Sequence, residues 1–316
     1  MVRVKVAAPC KINLHLSVGE RRTGGYHDLE SIFQTLALGD SLSFEVLEEK
    51  GRCDILVHSP PGPGFQIPPE ENIVARAVSL FQRRTGFDRG LRIGLEKRVP
   101  LGGGLGGGSS DAASTLAALD MLAGTALSLA ELRGMALSLG SDVPFFLADP
   151  PAGGPPGISA AGSGGAAWVT GRGERLLPLE SPRPWPVVLV HPGFPSPTGE
   201  AFRRLDLRRR GRAARNPGRE ELIGALGADP AVWPYWNDFL PVLDEGEGES
   251  SVYRPILSAL RREGAGFAGL SGAGSTCFGV FMDEGGAKRA ARLLMNGIFL
   301  IYVTFFLARS SFGVLE

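Results

Sequence analysis

Cysteine is scarce in this chain: three in 316 residues, Cys10, Cys53 and Cys277, odd in number, far apart and without C-x-x-C spacing. That excludes a disulfide framework and a zinc site and makes a reducing cytoplasm the expected compartment. Net charge is also missing, because 33 basic residues are balanced by 33 acidic ones. No global field draws such a protein to nucleic acid or to an anionic membrane, so any preference for anions must be local. Long hydrophobic runs are absent too. The most apolar, residues 298–308, is too short to span a bilayer, and the opening MVRVKVAAPC alternates in polarity where a signal peptide has an apolar core. What is present is 43% hydrophobic residues, enough for a sizeable core in a soluble protein of two ordinary domains.

Glycine is plentiful and concentrated. Residues 100–114 read PLGGGLGGGSSDAAS, with six glycines ahead of two serines. Ala112, Leu116, Leu119 and Ala123 recur at helical spacing behind them, Ser109, Ser110 and Asp111 are available as caps, and Gly124 can end the helix. Backbone without side chains approaches an anion closely, and a helix N-terminus behind it adds free N–H donors. The spacing of Gly102, Gly104 and Gly107 also satisfies the dinucleotide fingerprint. That motif should follow a buried parallel strand, whereas residues 91–100 (LRIGLEKRVP) alternate in polarity like a half-exposed antiparallel strand. A P-loop is excluded more directly, because no lysine precedes Ser109. A flexible linker does not explain a helix that starts at once.

Elsewhere Val2, Val4 and Val6 alternate with charges, and after Pro9 one face carries Ile12, Leu14, Leu16 and Val18 while Lys11, Asn13, His15 and Ser17 share the other. Strands are expected at 41–46 and 187–190 and a helix at 72–84. Ser128 and Glu131 form a capping-box pattern for a helix that Gly140 closes, so the resulting αα-hairpin should return Asp142 to the glycine loop. Residues 150–165 are low in complexity and read as a connector or insertion. Residues 203–219 hold eight arginines against Asp206, with no interleaved aromatics, and read as a solvated loop.

Four separated segments, APCKINLHL at Ala8, GGYHD at Gly24, the glycine loop and LGSDVPFFL at Leu139, together resemble the GHMP kinases. ENIVARA at Glu71, GRGE at Gly171, HPGFPSPTGEAF at His191, WND at Trp236 and GLSGAGSTCFGVF at Gly269 extend the resemblance over most of the chain. It implies an α+β fold whose two domains meet at an active-site cleft: residues 1–150, residues 166–316, and a connector at 151–165. It also implies phosphoryl transfer from ATP, with Mg²⁺, to a hydroxyl of a cytidine diphosphate sugar alcohol, a small-molecule reaction without nucleic acid or membrane. Phosphoryl transfer needs a phosphate cradle, a cation and a carboxylate near the nucleophile. In that pattern Asp142 is the catalytic aspartate and Lys11 its partner. Pro100, Gly102, Gly103, Gly104, Leu105, Gly106, Gly107, Gly108, Ser109 and Ser110 cradle ATP, and Asn72 and Lys97 line the adenine pocket. Asn13 orients the acceptor, Tyr26 and Phe202 sandwich the cytosine, and His27 reads its polar edge. Plainer roles compete: a turn cap for Asp142, a helix cap for Asn72, solvated strand charges for Lys11 and Lys97, packing for the aromatics. Cys10, where the pattern has a small residue, is expected to put a thiol beside Lys11. A homoserine or mevalonate type of kinase, or a nucleotide-binding protein without turnover, are the alternatives.

Overall fold

A computed structural model describes residues 3–59, 72–147, 165–180, 182–209, 218–244, 252–295 and 299–307. Two long strands form its spine, β1 (Arg3–Arg21) and β2 (His27–Lys50), paired antiparallel from Arg3↔Glu45 to Arg21↔His27. β1 runs through Pro9, with a register shift between Pro9 and Lys11 where a residue lacking an N–H is tolerated. The other edge of β2 is shared: Leu29 to Gln34 pair with β5 (Ala166–Gly171), and Ser41 to Lys50 with β4 (Arg89–Glu96). β3 (Cys53–His58) lies parallel to β4, and β6 (Arg175–Leu179) antiparallel to β5, completing six strands. β4 is therefore the half-exposed antiparallel partner expected of LRIGLE, with a parallel neighbour on its far side.

Three helices accompany this sheet: α1 (Ile73–Thr85), α2 (Gly107–Ala123) and α3 (Leu129–Leu139). Asn72 caps α1 by accepting from Val74 N, and Ser128 with Glu131 makes the capping box of α3. α2 begins without a side-chain cap. Its N-cap is Gly106 at φ 68°, so Ser109, Ser110 and Asp111 fall inside the first turns, while Gly124 ends the helix in the left-handed conformation as expected. Nearly every residue of α2 through Asp120 is buried, which suits a central helix.

The second sheet is antiparallel, in the order β10 (Leu300–Phe305), β7 (Pro186–His191), β9 (Cys277–Val280), β8 (Phe267–Leu270). Among the described residues five helices belong to this half: α4 (Thr198–Arg209), α5 (Arg219–Ala225), α6 (Leu240–Leu243), α7 (Tyr253–Arg262) and α8 (Glu284–Leu294). β1 threads three cores in succession. Val4, Val6 and Ala8 pack with α1 and α2; Cys10, Ile12 and Leu14 meet Val187, Leu189 and Phe278 between the sheets; Leu16 and Val18 join α4 and α7. Its second face is consequently buried as well, and Lys11, Asn13, His15 and Ser17 are all interior.

Three expectations need correction. The sequence pattern starts the second domain at 166, but β5 and β6 continue the first sheet, because β2 is long enough to take β5 beyond the end of β4. Arg203 to Arg209 are helical, in α4, and not a loop; residues 210–217 lie outside the described residues. Cys10 points away from Lys11 into the inter-sheet core, fully buried, and burial pushes its thiol pKa up. The connector, apart from residue 165, also lies outside the described residues. Among those described, no helix is long and apolar enough to cross a membrane.

Candidate active site

The glycine loop closes over Lys11. Lys11 N donates to Leu105 O at 2.8 Å, and the side chain runs beneath Gly106, where a Cβ would sit 3.1 Å from Lys11 Cγ. Only 4% of that side chain is exposed. Its ammonium donates to Asn13 Oδ1 at 2.7 Å, faces Asp142 Oδ2 at 3.4 Å and lies 4.4 Å from the centre of the Phe33 ring. Asp142 arrives at the end of the α2–α3 hairpin, as connectivity implied. It begins the short 3₁₀ turn Val143–Phe146 without a side-chain cap, so its carboxylate faces the lysine and the cleft. The exposed-strand role for Lys11 and the capping role for Asp142 are thus both absent.

Gly102, Gly104 and Gly106 take φ of 66°, 75° and 68°. Left-handed residues at every second position curl the chain into a concave nest of N–H groups, extended here by the N-terminus of α2. The cavity in front, about 430 Å³, is lined by residues 100–109 with Asn72, Ile73, Lys97 and Asp111. Asn72 is on its wall and is also the cap of α1. Ser110 is off the wall, fully buried, with no hydrogen-bond partner for its hydroxyl.

Lys97 is neither solvated nor free. Its ammonium sits between Asp40 Oδ2 at 2.5 Å and Asp111 Oδ2 at 2.8 Å, with no side-chain exposure. Asp40 also accepts from the backbone of Arg98 and Val99 at 2.5 and 2.9 Å. The triad ties the β2 bend and the end of β4 to the first turn of α2, directly behind the loop. Burial pushes the Asp111 carboxyl above the usual carboxylate range, and the Lys97 ammonium opposes that rise.

A second glycine turn, between β8 and β9, braces the first. Ser271 Oγ donates to Gly104 O at 2.9 Å and accepts from Asn13 N at 3.3 Å. Asn237 fixes this turn, donating to Leu270 O and Gly272 O, both at 2.8 Å.

On the far side of Asp142 opens another cavity, of about 710 Å³, whose walls include Tyr26, His27, Phe202, Arg172 and Asp142 itself. His27 stacks on Phe202 with centroids 4.9 Å apart, and its Nε2 donates to Asp206 Oδ1 at 2.7 Å. Tyr26 is 55% exposed, with the Arg172 guanidinium 3.9 Å over its ring. Tyr26 is therefore not core packing, whereas Phe202 also packs on the second core, edge-on to Phe239 with centroids 4.9 Å apart.

The fold thus brings Lys11, Asn13, Asp142 and the loop together, and gathers Tyr26, His27 and Phe202 into one cavity. Sequence reasoning missed Asp40, Asp206, Arg172, Ser271 and Asn237. Asn237, Arg172 and Ser271 had a signal in the WND, GRGE and GLSGAGSTCFGVF segments, while Asp40 and Asp206 act across separations such as the 179 residues between His27 and Asp206.

A glycine nest that opens a helix, with its lysine supplied from a separate strand, on paired α/β units, is the arrangement of a GHMP-type kinase. The family description "GHMP kinases N terminal domain" matches residues 72–149, and "GHMP kinases C terminal" matches residues 240–294. A 4-diphosphocytidyl-2-C-methyl-D-erythritol kinase of Treponema pallidum (strain Nichols) is 38% identical over 307 residues, covering 93% of this chain and 95% of its own. One from Anaeromyxobacter dehalogenans (strain 2CP-C) is 39% identical over 302 residues, covering 92% and 84%. A crystal structure of 4-(cytidine 5'-diphospho)-2C-methyl-D-erythritol kinase superposes with a TM-score of 0.75 at 32% identity, covering 96% of this chain and 98% of that one. The chain belongs to the GHMP kinases and, within them, to the family of 4-diphosphocytidyl-2-C-methyl-D-erythritol kinases.

Proposed function

We propose that this chain transfers the γ-phosphoryl group of ATP to the 2-hydroxyl of 4-diphosphocytidyl-2-C-methyl-D-erythritol, a cytoplasmic step in making isoprenoid precursors. The observation that carries the reading is the Lys11–Asp142 ion pair at the seam of two cavities. Lys11 is roofed by the glycine loop, and Asp142 is part of the wall that also holds Tyr26, His27 and Phe202. ATP phosphates would lie in the nest, and the acceptor hydroxyl would meet Asp142. A bond forms from the hydroxyl oxygen to the γ-phosphorus, the bridge to the β-phosphate breaks, the proton goes to Asp142, and ADP leaves. Lys11 offsets charge on the attacking side, and Asn13 holds its ammonium in place.

Mg²⁺ fits the donors available. Ser109 and Asp111 are hard oxygen donors on the loop cavity wall, and Asp111 Oδ1 is buried without a hydrogen-bond partner. Mg²⁺ takes many of its ligands from substrate phosphates and water. When bound, it neutralises phosphate charge. His27, whose Nε2 hydrogen is committed to Asp206, keeps Nδ1 for a pyrimidine edge.

The test is ADP release with ATP, Mg²⁺ and the cytidine substrate, for the natural chain and Asp142→Asn. Turnover by the natural chain and a loss of roughly 10²- to 10⁴-fold in kcat for the variant are expected. No turnover by folded natural protein overturns the activity. A variant that retains the natural rate removes the role of Asp142 alone.

A further inference from the structure

The cavity beside Tyr26 has an uneven charge balance. Of its lining cations, Arg203 is held by Glu200 at 2.6 Å, and His27 is engaged by Asp206. Arg172 and Arg21 have no carboxylate partner among the described residues. The Arg172 guanidinium lies over the Tyr26 ring at 3.9 Å, and Arg21 only donates to Gly25 O at 3.4 Å. Two guanidinium groups left uncompensated around one concave wall are arranged to receive an anion.

Their position says which anion. Arg172 sits in the turn joining β5 to β6, between Gly171 at φ 72° and Gly173 at φ 121°. A Cβ on Gly173 would come within 3.2 Å of Ser141 O and 3.4 Å of Asp142 Oδ1, so the turn is packed directly on the acid. Adjacent residues of one turn thus reach the aromatic wall and the carboxylate. A ligand with its base at Tyr26, His27 and Phe202 and its hydroxyl at Asp142 must carry whatever joins them past Arg172. In a nucleoside diphosphate conjugate that linker is the diphosphate.

We infer that Arg172, assisted by Arg21, binds the diphosphate of the acceptor and makes the site selective for a nucleoside diphosphate conjugate over a free sugar alcohol. The inference rests on the cytidine reading of the cavity. A planar guanidinium can keep one face on Tyr26 while its edge offers paired N–H donors to phosphate oxygens.

The test is calorimetric binding of cytidine and of cytidine diphosphate to the natural chain, Arg172→Gln and Arg21→Gln, with steady-state kinetics on the same proteins. The natural chain should bind the diphosphate more tightly than cytidine. Arg172→Gln should narrow that gap by about tenfold, and Arg21→Gln by about threefold, with cytidine affinity held within about twofold. In turnover, Arg172→Gln should raise KM for the acceptor while leaving kcat and the KM for ATP nearly unchanged. An unchanged gap, or cytidine weakened in parallel, means that Arg172 only stacks on Tyr26; the diphosphate assignment is then overturned while the cytidine reading stands. A natural chain that binds neither ligand overturns both.

Discussion

Gly104→Ala is the substitution whose consequence is most tightly set by the geometry of the loop. Gly104 has φ 75°, and a Cβ there would fall 2.1 Å from Ser271 O and 3.0 Å from Gly274 O, backbone atoms of the second glycine turn. Left-handed backbone costs an alanine about 1–2 kcal/mol before any clash is counted. The clash has no flexible side chain to absorb it, so the two turns must part by about 1 Å to restore ordinary contact. That movement breaks the Ser271 Oγ to Gly104 O hydrogen bond and tilts the nest away from Lys11. Misplacing phosphate donors by that much costs about 100-fold in rate, equivalent to about 2.7 kcal/mol of barrier. The assay is kcat/KM for ATP at saturating acceptor, with a thermal melt to show that the variant is folded. Gly134→Ala is the matched control: Gly134 is exposed within α3, and a Cβ there meets nothing within 4 Å. It should raise stability by about 0.5–1 kcal/mol and leave kinetics alone. A folded Gly104→Ala protein with natural ATP kinetics would refute the bracing of one turn by the other.

Other perturbations probe the frame behind the site. His15 is fully buried, with both ring nitrogens lacking a hydrogen-bond partner and Trp236 edge-on at 4.3 Å; burial lowers its pKa to about 4, and His191 is lowered likewise. Below the ordinary pKa of 6.5 the unfolded chain takes up protons that the folded chain refuses, so stability contributed by these histidines is full above that pH and falls as pH drops toward 4. His15→Phe should remove about half of that loss, roughly 3 kcal/mol for one such group; urea titrations at several pH values that give parallel curves for both proteins would contradict it. Lys97→Met leaves Asp40 and Asp111 buried without their ammonium and should cost about 3–5 kcal/mol. A change below about 1 kcal/mol in chemical denaturation would show that the triad is not holding the loop to the sheet.

Local chemistry made part of this molecule legible in advance. The loop, the end of α2 at Gly124 and the capping box of α3 are each written within a few consecutive residues, so turn and cap rules suffice there, but they misplaced the start of α2, whose N-cap is Gly106 and not a serine. β1 was half legible: its alternation was correct, but nothing in the spacing said that the polar face would also be covered, Lys11 by the glycine loop and Phe33, and His15 by Trp168 and Trp236. Lys97 shows the limit most clearly. Beside Arg98 and a proline it reads as a solvated charge, and only the fold brings Asp40 from 57 residues away to bury it. The meeting of Lys11 with Asp142 followed from hairpin connectivity together with the family pattern. Arg172 lay within the GRGE segment, but no role for it was legible, because its value depends on Tyr26, brought to it from the turn between β1 and β2.

The central claim is that one cleft joins a cytidine wall to a phosphoryl-transfer centre, and the most direct measurement is acceptor selectivity. With ATP and Mg²⁺, kcat/KM should be compared for 4-diphosphocytidyl-2-C-methyl-D-erythritol, homoserine and mevalonate, and the product's phosphorylation site assigned by ³¹P NMR. Turnover of the cytidine conjugate alone, with the new phosphate on its 2-hydroxyl, is predicted. Preference for homoserine or mevalonate would contradict it.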